Sequence, residues 1–309
     1  MARRKKIKVP QISGGTGVAR RFLKGALAVT LPLIVGVLVA LAFGRLGEGL
    51  AGAPAYQMSR DCLRLVEGPD WMTPAILAEI DVRQELPERF SLLDPTLCER
   101  IARAYEKTVW VERVDRVVKR DPRVTSGRPP LEVSLKFRRP IAFVQMAGRD
   151  GFYLVDAQGV RLPGVYREPR LGQTRLLVIT GCREPTPQPG RVWQGASLQA
   201  GVRVAEAVTP RRERFRLTTV DVSNFGGRRD PRDTEIALYT TGRTQIKWGK
   251  APTPEAAMLQ EKSLGAKVGY LDFVYERLGG RIDGVLSYID IPNEAICRRS
   301  SVVRHRLRS

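Results

Sequence analysis

Between residues 131 and 138 apolar and polar side chains alternate without a break. Leu131, Val133, Leu135 and Phe137 share one face of a strand, and Glu132, Ser134, Lys136 and Arg138 share the other. The stretch VWVERVDRVVKRDP (109–122) is also strand-like, but Val111, Val114 and Val117 cannot all fall on one face, so a bulge is expected in it. Upstream the period becomes helical. Thr73-Pro74 supplies an N-cap and a first-turn proline for a helix through about Leu86, and Asp94-Pro95 opens a second helix on which Leu97, Ile101 and Tyr105 recur every four residues. A short apolar segment, CLRLVEG (62–68), precedes them. The order strand, helix, helix, strand, strand predicts a compact α+β unit with both helices on one face of a small sheet.

The second half alternates strands with turn formers. Asp156-Ala157-Gln158-Gly159 and Thr241-Gly242 each separate two apolar runs. Strands are expected at 152–155, 160–162, 176–179, 215–222, 235–240, 244–248 and 285–291. One helix falls near 197–208. A longer one starts at a Thr253-Pro254 cap and carries Leu264, Val268, Leu271, Val274 and Leu278 on one face until Gly279-Gly280 ends it. The pattern predicts a mostly antiparallel β domain with packed helices.

One apolar run has neither period. Residues 26–43 include 18 positions in a row without a charge, and as a helix they would span roughly 27 Å, close to a bilayer's hydrocarbon thickness. Eight Lys/Arg and no acid lie in residues 1–43, all before the apolar run. The charge bias predicts a single N-terminal transmembrane helix with its N-terminus in the cytoplasm and everything after residue 44 outside. Ala53-Pro54-Ala55 offers the small-residue pattern of a cleaved signal peptide, but the apolar core is long for one and the site lies well beyond it, which favours a retained anchor. The run MARRKKIK would touch anionic lipid head groups.

The net charge of +20 changes the picture less than its size suggests. Residues 298–309 hold five arginines and no acid, and setting both ends aside leaves 39 basic against 32 acidic residues over 254 positions. A nucleic-acid platform would interleave exposed aromatics with its cations, whereas Phe137 falls on the apolar face of its strand, so no nucleic-acid partner is expected. The single histidine, His305, lies in the terminal arginine-rich segment, which excludes a histidine-based triad or a multi-histidine metal site. No Walker loop, GxSxG elbow, HExxH or Cys-x-x-Cys occurs, and Asp230 and Asp233 sit in a Gly/Pro/Arg loop that suits surface ion pairs. No enzyme activity, cofactor or metal is expected. The four cysteines, Cys62, Cys98, Cys182 and Cys297, allow three complete pairings or separate buried thiols.

Taken in order, WVERVDRVVKRDP, LEVSLKFRRPIAFV, YLVDAQGVRLP (153–163), LLVITG (176–181) and LSYIDIP (286–292) resemble the bacterial cell-division protein family FtsQ, also called DivIB. The resemblance runs across nearly the whole chain and is loosest toward the C-terminus. The insert TSGRP and the stretch QELPERF look longer than usual for the family, and Asn293 stands where an aromatic residue is common.

The resemblance implies a basic cytoplasmic tail (1–24), a transmembrane helix (25–44), a tether (45–55), a POTRA-like domain (56–145), a β domain (146–297) and a basic tail (298–309). It implies a scaffold, single-pass in a bacterial inner membrane, that assembles the division machinery by binding small bitopic membrane proteins similar to FtsB and FtsL. The partner site would be the last strand and the residues after it: Tyr288, Ile289, Asp290, Ile291, Asn293, Glu294, Ala295, Ile296 and Cys297. Pro292 removes one main-chain donor there but is compatible with an edge strand, and the arginines beyond would attract an acidic partner. The other classes weighed are a POTRA-bearing transport or assembly factor, which an outer-membrane barrel's many alternating strands would mark, and a cell-wall enzyme.

Overall fold

The computed structural model describes residues 33–42, 44, 53–65, 68–121, 130–145, 148, 151–250 and 261–291. A two-stranded ribbon, β1 (Gln57–Ser59) and β3 (Arg89–Ser91), flanks a three-stranded sheet in which β2 (Leu63–Leu65) and β4 (Val111–Lys119) lie on either side of β5 (Leu131–Phe137). The Thr73 hydroxyl accepts the Ile76 N–H at 3.3 Å and starts α1 (Pro74–Ile80). That helix ends well short of Leu86, because Asp81 is extended and its carboxylate caps a separate 3-10 turn, Val82–Glu85, through the Arg83 N–H. Asp94 likewise takes both the N–H and the hydroxyl of Thr96, which delays α2 to Leu97–Glu106. Leu97, Ile101 and Tyr105 of α2 are buried, as the four-residue recurrence requires. In β4 the register against β5 slips twice, between Val111 and Arg113 and between Val114 and Arg116, where the valine spacing breaks alternation.

The continuous-looking run 131–144 is two strands. It breaks at Arg138-Arg139, and β6 (Pro140–Gln145) leaves the first sheet for a second one of seven strands. There β6 pairs with β7 (Phe152–Asp156). A small hairpin, β8 (Arg170–Leu171) and β9 (Thr174–Arg175), precedes β10 (Leu177–Thr180), α3 (Ala196–Val208) and β11 (Leu217–Asp221). Then come β12 (Ile236–Thr240), β13 (Gln245–Gly249), α4 (Leu264–Arg277) and β14 (Tyr288–Asp290), giving the spatial order β14-β13-β12-β11-β10-β6-β7. Residues 160–162 contribute only isolated bridges. The second helix starts at a Ser263 cap and not at Thr253-Pro254, which lies outside the described residues.

The sheet is mixed rather than mostly antiparallel, with three parallel and three antiparallel pairings. Two of the three parallel pairings, β10 with β11 and β13 with β14, follow from the connections. Helix α3 carries the chain from β10 to β11, and α4 carries it from β13 to β14, and a crossover of that kind returns the strand in the same direction. Both helices pack on one face, over Ala142, Val144, Ile179, Val220, Leu238, Ile246 and Ile289. Phe143 points the other way, into a second core that contains Leu154, Leu162 and Leu171 together with Leu63, Ile101, Trp110 and Leu131 of the first unit.

The expected transmembrane helix over 25–44, and with it the single-pass inner-membrane placement, is corrected by the structure. Among the described residues no helix is long and apolar enough to cross a membrane. Residues 33–42 are helical and exposed. The rest of the expected span, apart from Gly44, and the tail 1–24 lie outside the described residues.

Cys62, Cys98 and Cys182 are free thiols, and Cys297 lies outside the described residues. Burial, reinforced by Glu184, pushes the Cys182 thiol up to about 12.

Candidate partner-binding edge

The long crossover through α4 delivers β14 parallel to β13, in the register Gln245↔Tyr288, Ile246↔Ile289, Lys247↔Asp290. The Ser263 Oγ starts that helix by accepting the Ala266 N–H at 3.2 Å. The Gln245 N–H donates to Ser287 O at 3.1 Å and the Ile291 N–H donates to Lys247 O at 3.2 Å, so residues 287 and 291 turn their main-chain groups toward β13. Backbone direction alternates along a strand, and the N–H and C=O of Tyr288 and Asp290 therefore face outward. Among the described residues no strand pairs with that side. The opposite rim of the sheet differs: Phe152 and Val155 of β7 make bridges with Tyr166 and Arg161. Among the described residues the open edge of the seven-stranded sheet is β14.

Two buried polar groups set where β14 begins. The Thr244 hydroxyl donates to Leu286 O at 2.7 Å and accepts the Gly284 N–H at 3.0 Å. Asp283 accepts the Gly242 N–H and lies 3.3 Å from Arg216 Nη1. Burial by itself would raise the Asp283 carboxyl, but the hydrogen bonds from Thr240, Gly242 and Arg216 outweigh it and hold the group below the ordinary carboxylate value. These contacts fix the 282–286 turn to the β12–β13 hairpin and so aim the strand that follows.

Alternation then sorts the β14 side chains. Ile289, 2% exposed, and the following Ile291 are buried on the helix-covered face. Tyr288 and Asp290 are exposed on the other. There Thr219, Tyr239, Gln245 and Tyr288 form one row across four strands, with Gln245 Nε2 donating to the Tyr239 hydroxyl at 3.3 Å. Lys247 stands opposite Asp290 and 5.9 Å from the centroid of the Tyr288 ring, yet its Nζ donates to Asp233 Oδ1 at 2.9 Å. That bond raises the Lys247 ammonium and holds the Asp233 carboxyl low. Partial burial pushes the Asp290 carboxyl up, against the pull of Lys247 and with the help of Asp233.

Of the residues expected at the site, Tyr288, Ile289, Asp290 and Ile291 are thus placed together at one edge, whereas Asn293, Glu294, Ala295, Ile296 and Cys297 lie outside the described residues. The neighbours on β13 and the 223–235 loop, Gln245, Lys247 and Asp233, are not predicted from the sequence. The alternation of TQIKW was the available signal, but only the pairing with β14 gives it meaning. Asp233 is engaged by Lys247, and Asp230 Oδ1 accepts the Arg232 N–H within its own loop. Among the described residues no group of His, Cys, Asp and Glu is arranged to hold a metal ion. No family model matches the chain, and no curated protein matches it.

Proposed function

We propose that this chain is a non-enzymatic scaffold whose β domain captures an extended segment of a partner protein along β14. The observation that carries this reading is the outward-facing main chain of Tyr288 and Asp290, with which no strand pairs among the described residues, on a strand whose other side is anchored to β13. An added strand would take its affinity from main-chain hydrogen bonds and its selectivity from alternate side chains. The resemblance to the FtsQ family supplies the biological setting: division-machinery assembly, with partners similar to the small bitopic proteins FtsB and FtsL.

The test is Asp290→Pro. The Asp290 N–H faces away from β13, so proline there removes an outward donor without breaking a bond to β13. The tagged full chain should melt within a few degrees of the parent, yet lose capture of coexpressed FtsB-like and FtsL-like proteins. Undiminished capture by a folded Asp290→Pro chain would place the partner site elsewhere.

A further inference from the structure

The edge described above carries an unbalanced charge. Lys247 is the residue directly opposite Asp290, but its ammonium is committed to Asp233, and among the described residues Asp290 makes no ion pair. Charged residues facing each other on neighbouring strands attract when opposite and repel when alike. Asp290 therefore has one unused cross-strand position, on the side where β14 is open. The position next to Ile289 lies on the other face, where Ile246 and Ile289 are buried beneath the helices. Next to Tyr288 the vacant place adjoins an aromatic ring in the row Tyr239, Gln245, Tyr288.

Resting on the edge-capture reading, we infer that the captured segment carries a lysine or arginine in register with Asp290, followed or preceded by an apolar residue against Ile289. The edge selects a basic, alternating strand. Partner strands sit about 4.8 Å away, and side chains directly opposite are about 5 Å apart at Cβ. A lysine or arginine there meets the Asp290 carboxylate without displacing the Lys247–Asp233 pair. It also offsets the partial burial that pushes this carboxyl up. The selection runs against the chain's overall charge. At +20 the protein as a whole attracts acids, so a preference for a basic strand at this edge has to come from β14 itself.

The experiment uses the full chain and two synthetic probes, a short peptide alternating valine with lysine and its counterpart alternating valine with glutamate. Binding is read by fluorescence anisotropy and located by slowed amide exchange at Tyr288 and Asp290. The lysine peptide should bind roughly three- to tenfold more tightly. Asp290→Asn should erase that preference and Asp290→Lys should reverse it. Backbone N-methylation of the lysine peptide should abolish binding. Equal binding of both peptides, still sensitive to N-methylation, overturns the charge selection and leaves edge capture standing. Binding indifferent to N-methylation, or no binding at Tyr288 and Asp290, overturns both. A lysine peptide that binds only after residues 298–309 are deleted would assign Asp290 to the chain's own arginines and overturn the inference as well.

Discussion

The indole Nε1 of Trp110 donates to Glu79 Oε2 at 2.6 Å, joining the residue before β4 to the last turn of α1. Trp110 is 1% exposed, and its ring lies 6.3 Å from that of Trp71. The bond and the packing make separate contributions, and two substitutions separate them.

Trp110→Ala should destabilise the protein by about 3–5 kcal/mol through the cavity it leaves. Trp110→Phe keeps most of the volume and loses the bond to the Glu79 carboxylate, a cost of about 2 kcal/mol. Among the described residues Arg113 pairs with exposed Asp115 alone, so Arg113→Ala should cost less than about 1 kcal/mol. Chemical denaturation of the three variants gives the order; equal losses for Arg113→Ala and Trp110→Ala would refute the assignment of faces in β4.

A second prediction concerns Lys267, which is 2% exposed on α4. Its Nζ lies 2.5 Å from Glu261 Oε1, donates to Trp248 O at 2.7 Å and sits 5.4 Å from the centroid of the Trp248 ring. Burial lowers the ammonium's pKa, with Glu261 opposing. Glu261→Gln removes the counter-charge from a buried cation and should cost about 3 kcal/mol. Lys267→Met combined with Glu261→Gln should cost clearly less than the two single losses added together. Strict additivity in equilibrium unfolding would mean that the two charges do not depend on each other.

Acid should loosen the turn that aims β14. The Asp283 carboxyl is held below its ordinary value of 3.8. Between its folded value and 3.8 the unfolded chain binds more protons, so the stabilisation is complete above that window and is lost as pH falls through the folded value. Asp283→Asn should flatten this part of the acid limb in a series of urea melts at successive pH values. It should also weaken the hold on Gly242 and Arg216 at neutral pH. An acid limb identical to the parent's would show that Asp283 does not contribute to it.

Much of this architecture is legible where the determinant is local. The alternation from Leu131 to Phe137, the irregular valines of β4 and the Thr73 cap each act within a few residues, and each reappears in the structure. What is not legible depends on distant partners. Alternation does not show that the chain changes sheets at Arg138-Arg139, because a strand pattern is the same whichever sheet receives it. Two of the three parallel pairs follow from the helical crossovers, and the third joins β6 to β10 across the intervening β7 and the small hairpin. At the candidate edge the outward residues Tyr288 and Asp290 could be named from LSYID, but the commitment of Lys247 to Asp233 could not, since it links a strand to a loop 14 residues upstream. The apolar run 26–43 reads as a span because hydropathy measures composition, whereas among the described residues no helix is long and apolar enough to cross a membrane.

Strand β6 gives one side chain, Phe143, to the core of the first unit and its neighbours Ala142 and Val144 to the core beneath the helices. A protein cut between Phe137 and Pro140 would leave the N-terminal piece without a filling for its floor and the C-terminal piece with an apolar wound. The two halves are therefore thermodynamically indivisible: they should melt in one cooperative step, and a β domain expressed alone would carry a sticky surface that the intact chain never shows.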